Sequence, residues 1–179
     1  MNPKIWWKYS GRYYHTDFIK GVKNLIKWLP IIWKDRDWDS YYIFEVLKFK
    51  IKNTSEYIGN RDFHLRSKRD AEIMNTCVKL IDKVIDDYYQ IEYMDYHKSE
   101  YHWDDIPNKP EYKQFRTETI SDDLDRYYEK YPKLYKRVLE EETNDDRVWI
   151  AMRMGHHMHD KSKKLLFTLM EHNIERWWD

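Results

Sequence analysis

Between residues 73 and 88 an apolar side chain recurs every three or four positions, as Ile73, Cys77, Leu80, Ile81, Val84, Ile85 and Tyr88. That period matches the 3.6-residue turn of an α-helix, whereas successive residues of a strand point to opposite faces. The stripe predicts a helix from Ser67 that continues through Ile91 to about Tyr96. A second stripe, Val148, Ala151, Met152, Gly155, Ser162, Leu165, Leu166, Leu169 and Ile174, predicts a long last helix capped by Asn144 or Asp145. Ala151, Gly155 and Ser162 are small on that face and permit close approach of a neighbour.

The rest of the chain is read in the same way. Phe18, Val22, Leu25 and Ile26 after Thr16 predict a helix over 17–28 that Pro30 stops. Ile43, Val46, Leu47, Ile51 and Ile58, closing at Gly59, predict a second over 38–58 with Asp37 or Asp39 as its N-cap. Leu124, Tyr127 and Tyr128 mark a short helix from Ser121, and Pro132 opens another through Val138 and Leu139. Residues 1–15 read as an irregular aromatic arm, and 103–120, with Pro107 and Pro110, as a long connection. Four glycines in 179 residues are too few for the turns of a β-sandwich or a doubly wound α/β fold. The expected fold is therefore all-α, a single domain over 1–179 built as a bundle of about five to six helices.

Charge and cysteine usage narrow the class of partner. With 32 basic and 32 acidic residues the chain lacks the basic footprint of a duplex-binding protein. A lone cysteine, Cys77, rules out an internal disulfide and fits a reducing cytoplasm. No apolar run approaches ~18 residues, and the start lacks the apolar core of a secretory signal, so a cytoplasmic protein with no membrane partner is expected. Aromatic residues make up 17% of the chain, more than a core needs, and some are expected to line a pocket or an interface.

The run Trp33-Lys34-Asp35-Arg36-Asp37-Trp38-Asp39, followed by Tyr42, sets two indoles around a guanidinium. Flat rings stack on planar ligands and a guanidinium pairs with phosphate, which makes Trp33, Lys34, Arg36, Asp37, Trp38 and Tyr42 candidate ligand-binding residues. The plainer explanation is that the aspartates cap a helix and the rings anchor it in the core. His156-His157-Met158-His159-Asp160 is the other constellation. At helical spacing His156 and His159 share a face and suit contacts to an anion, and with Asp160 they form an alternative set of metal ligands. The spacing is not that of zinc peptidases, so no metal or other cofactor is expected. Asp82, Asp86, Asp87 and Glu45 lack the paired-carboxylate pattern of helical pyrophosphatases, and no glycine-rich phosphate loop occurs.

The Trp33–Asp39 run with Tyr42, together with Leu165-Leu166 and the terminal Ile174-Glu175-Arg176-Trp177-Trp178-Asp179, resembles small uncharacterised proteins encoded by tailed bacteriophages. The likeness covers about a quarter of the chain. It implies a source and a compartment, the infected bacterial cytoplasm, more than a chemistry, and small phage proteins of this kind often turn out to be host-takeover or counter-defence factors. Some such factors are sponges that trap nucleotide immune signals; no motif of a sponge family is matched, so no ligand residue is carried over.

The leading expectation is a non-catalytic protein that sequesters a small phosphorylated or nucleotide-like ligand. The first alternative is a protein-binding inhibitor whose aromatic surface meets a host protein or a second copy of the chain. The second is a metal-dependent nucleotide phosphohydrolase built on His156, His159 and Asp160.

Overall fold

The computed structural model describes residues 14–61, 65–107, 109, 111–144 and 146–178. Its contacts divide the chain into two compact units, 1–50 and 51–179. The first holds α1 (Tyr14–Ile32) and the beginning of α2 (Ser40–Gly59). Here Trp28 of α1 meets Phe49 of α2 edge to face, 4.7 Å between ring centres. Pro30 does not stop α1: it falls in the last turn, and the ladder resumes beyond it as the Trp33 amide donates to the Leu29 carbonyl at 2.9 Å. A proline there removes one backbone donor while its fixed φ still suits a helix. Residues 1–13 of the expected arm lie outside the described residues, whereas Tyr14 and His15 belong to α1.

Asp39 stands at the head of α2, its carboxylate accepting from the Tyr41 amide at 2.9 Å, as an N-cap side chain does. The buried residues of α2, Ile51, Thr54, Ser55 and Ile58, all belong to the second unit. Ser55 ties the helix to α3 (Ser67–Ile85), donating to the Ala71 carbonyl at 3.0 Å and lying 2.9 Å from the Asn75 side chain.

The stripe of α3 turns inward at Ala71, Met74, Cys77, Ile81 and Val84, which are buried. The helix does not run on to Tyr96. Asp87 takes φ 47°, a left-handed conformation that aspartate tolerates better than most side chains, and the chain restarts as α4 (Tyr88–Ile91) and a 3₁₀ turn (Glu92–Asp95).

A hairpin follows, so the fold is mostly helical but not all-α. Strand β1 (His97–Asp105) pairs antiparallel with β2 (Lys113–Asp122), Trp103 opposite Phe115 and Tyr101 opposite Thr117, with an irregularity between Lys98 and Ser99. The expected connection over 103–120 is thus largely strand. Its pairing comes from cross-strand side chains rather than a buried face: Tyr101 stacks on Phe115, and Arg116 reaches Asp104 at 3.0 Å. Every residue of β2 is exposed, so the alternation of apolar and polar positions that betrays a half-buried strand is absent.

Helices α5 (Leu124–Lys130), α6 (Pro132–Glu141) and α7 (Arg147–Asn173) complete the second unit, ending in a 3₁₀ turn (Ile174–Trp178). Asp146 caps α7 by accepting from the amides of Val148 and Trp149; of the expected caps, Asn144 instead accepts from the Asp146 amide, and Asp145 lies outside the described residues. The core joins Tyr93, Leu124, Tyr127, Tyr128, Val138, Ile150, Ala151 and Met154. Burying an apolar side chain of this size stabilises by about 1.5–3 kcal/mol. Much of the tyrosine excess is spent here, with Tyr128 stacked on Tyr135 at 4.2 Å and Tyr127 edge-on to Tyr131 at 5.5 Å. The Tyr128 hydroxyl donates to the Arg147 carbonyl at 2.7 Å, and burial pushes its pKa up to about 12.

Candidate functional site

Helices α6 and α7 run back along each other from the short loop between them, and a cleft of about 380 Å³ opens on their shared surface. From α6 it is lined by Lys133, Leu134 and Arg137, and from α7 by His157, Met158, Asp160, Lys161 and Lys164. The local sequence dictates this chemistry. Lys133 and Arg137 stand four apart on one face of α6, and His157, Lys161 and Lys164 recur at four and three residues along one face of α7. Leu134 and Val138, next to the cations, pack into the core and hold α6 in place.

The electrostatics are one-sided. Four permanent cations face the cleft, and the single acid, Asp160, is already engaged by Lys163 at 2.9 Å. That hydrogen bond, more than any other influence, holds the Asp160 carboxyl below the ordinary range. Among the described residues Lys133, Lys161 and Lys164 have no ion-pair partner. Arg137 pairs with Glu141 at 3.6 Å, and His157 stands 3.3 Å from the same carboxylate. Leu134 and Met158 give the cleft an apolar floor. Such a surface attracts an anion and accepts a flat or apolar attachment, and its lining carries no hydroxyl or thiol nucleophile.

The histidines expected at a site separate. His156 is exposed, and His159 is buried with Nδ1 lacking a hydrogen-bond partner and 3.9 Å from an Asp87 oxygen. Burial, with Lys163 adding to it, lowers the His159 pKa. Neither lines the cleft; the histidine that does is His157. Among the described residues no three His, Cys, Asp or Glu side chains come together in a way that could hold a metal ion, and the set His156, His159 and Asp160 is no exception.

The Trp33–Tyr42 stretch lies in the first unit, as a turn and the start of α2. Its indoles are not core anchors: Trp33 is 77% and Trp38 83% exposed. Arg36 donates to the Asp35 carbonyl at 2.7 Å, and Lys34 and Asp37 are exposed. Tyr42 is half-buried against Tyr41, edge to face at 5.1 Å. None of these residues lines the cleft.

Comparison with known proteins finds no matching family model, no similar curated protein and no similar solved structure. The cationic residues of α6 and α7 carried a sequence signal, the four-residue and three-residue repeats of Lys, Arg and His, but nothing in the chain order says that the two stripes share one cleft.

Proposed function

We propose that the protein is a non-catalytic binding protein that takes a small phosphorylated, nucleotide-like ligand into the cleft between α6 and α7. The observation that carries this reading is the set of four cations, Lys133, Arg137, Lys161 and Lys164, lining one opening; Arg137 is paired with Glu141, the three lysines have no ion-pair partner among the described residues, and the lining acid, Asp160, is engaged by Lys163. Phosphate oxygens accept from ammonium and guanidinium groups, and the Leu134 and Met158 surface takes the apolar side of a base or ribose. The likeness of the Trp33–Asp39 run and the C-terminal Trp177-Trp178-Asp179 to tailed-phage proteins supports a narrower form: sequestration of a nucleotide-derived immune signal in the infected bacterial cytoplasm. The exposed Trp33 and Trp38 rings flanking Arg36 are a further stacking surface for such a ligand.

Titration calorimetry against pyrophosphate, cyclic dinucleotides and ADP-ribose derivatives tests the proposal. Saturable heat that disappears in the Lys161→Glu, Lys164→Glu double variant supports it; no heat with any of these ligands, or heat unchanged in the variant, overturns it. A Trp33→Ala, Trp38→Ala variant reads separately whether the indoles contribute.

A second reading, a protein-binding inhibitor, is favoured by the hairpin. Tyr101, Trp103 and Phe115 form an exposed aromatic cluster on a sheet of two strands. Aromatic clusters of this kind anchor protein interfaces. A stoichiometric partner retained from infected cells by the wild type, and lost on Trp103→Ala with Phe115→Ala, would support this reading over the first.

A further inference from the structure

Helix α1 buries none of its residues, although its sequence is sharply two-sided. Phe18, Val22, Leu25, Ile26, Leu29 and Ile32 follow the helical period along one arc and are all exposed, Leu25 and Ile26 at 65% each. Lys20, Lys23 and Lys27 follow the same period on the opposite side. We infer that α1 docks in the plane of an anionic lipid bilayer, the apolar arc sunk among the acyl chains and the lysines at the headgroups.

Charge decides between lipid and other occupants. Residues 1–34 contain seven Lys or Arg, at positions 4, 8, 12, 20, 23, 27 and 34, against a single acid, Asp17, so the rest of this neutral chain is net acidic. A cationic segment of this kind is complementary to anionic headgroups, whereas a second copy of α1 would bring the same charge to the contact. Aromatic placement agrees. Trp33, exposed, follows the helix end, and indoles favour the boundary between acyl chains and headgroups. At 19 residues α1 is about 28 Å long, ample for lying along a surface. Among the described residues no helix is long and apolar enough to cross a membrane, which leaves the in-plane mode for α1.

The inference does not rest on the cleft of the second unit, and the two fail separately. The protein is sedimented with phosphatidylcholine vesicles and with vesicles in which about a third of the lipid is phosphatidylglycerol. Binding about tenfold stronger to the anionic vesicles is expected. Leu25→Asp with Leu29→Asp should abolish it, and Lys20→Glu with Lys23→Glu and Lys27→Glu should remove the anionic preference, both with unchanged circular dichroism because the substituted positions are exposed. The cleft variant Lys161→Glu, Lys164→Glu should sediment like the wild type. No sedimentation with anionic vesicles overturns the inference, as does binding that survives Leu25→Asp with Leu29→Asp. A concentration-dependent dimer that this pair dissolves, without vesicle binding, would overturn it in favour of a second copy.

Discussion

A Cβ added to Gly155 would stand 2.7 Å from the backbone carbonyl oxygen of Tyr89, and 3.2 Å from the Gln90 Cα. The long helix α7 thus packs directly on the backbone of the short α4, at the one turn of its stripe that has no side chain. Because backbone cannot rotate aside as a side chain does, Gly155→Ala must push the two helices apart. The helix propensity gained from alanine, about 1 kcal/mol, works in the other direction. The expected outcome is a net loss of about 1–3 kcal/mol of unfolding free energy, read from urea denaturation midpoints at unchanged slope.

Glu92 is buried, with the Tyr131 hydroxyl, from the link between α5 and α6, donating to it at 2.9 Å and Lys130 at the end of α5 forming an ion pair with it. A buried carboxylate needs its donors. Tyr131→Phe, which removes one donor and keeps the ring, should lower stability by about 1–2 kcal/mol. Thermal unfolding of the two proteins at neutral pH checks this, and an unchanged midpoint would mean that Lys130 alone satisfies the carboxylate.

His159 makes stability depend on pH in a defined direction. Burial, reinforced by Lys163, depresses its pKa in the folded protein below the ordinary value of about 6.5. Above that value neither state binds the proton; as pH falls through it the unfolded chain takes up a proton that the folded one refuses. Stability should therefore decline as pH is lowered below about 6.5. The decline should be shallower in His159→Gln, compared by urea titrations between neutral pH and the point where carboxylates begin to protonate. The depressed carboxyls of Glu142 and Asp160 act in a lower window, with stability lost as pH falls through their folded values.

Phosphate binding in the proposed cleft should carry a salt signature of its own. If phosphate oxygens sit among Lys133, Arg137, Lys161 and Lys164, each single Lys→Ala change should weaken binding by about tenfold, and raising the salt should narrow the gap between wild type and variants. Since these side chains lie on the surface, the same changes should alter stability by no more than about 0.5 kcal/mol. Affinity lost together with stability would instead indicate a structural role.

What the order of residues determined was the helical skeleton. The stripes of α3 and α7, the proline opening α6 and the aspartate heading α2 are local features, because a 3.6-residue period and a cap act over a few neighbouring positions. The break at Asp87 and the hairpin were not readable in this way. The break depends on one residue accepting a left-handed conformation while α4 packs against α7. The strands pair through exposed aromatic and charged side chains, with no buried face to leave a two-residue period. The tertiary structure alone decided where the cleft lies. Lys133 with Arg137, and His157 with Lys161 and Lys164, are ordinary charged faces on separate helices until α6 folds back on α7, and only then do their fields add in one opening. It also decided that Trp33 and Trp38 are exposed and that α1 keeps its apolar arc uncovered, since amphipathic periodicity records that a helix has an apolar side, and burial depends on what meets it.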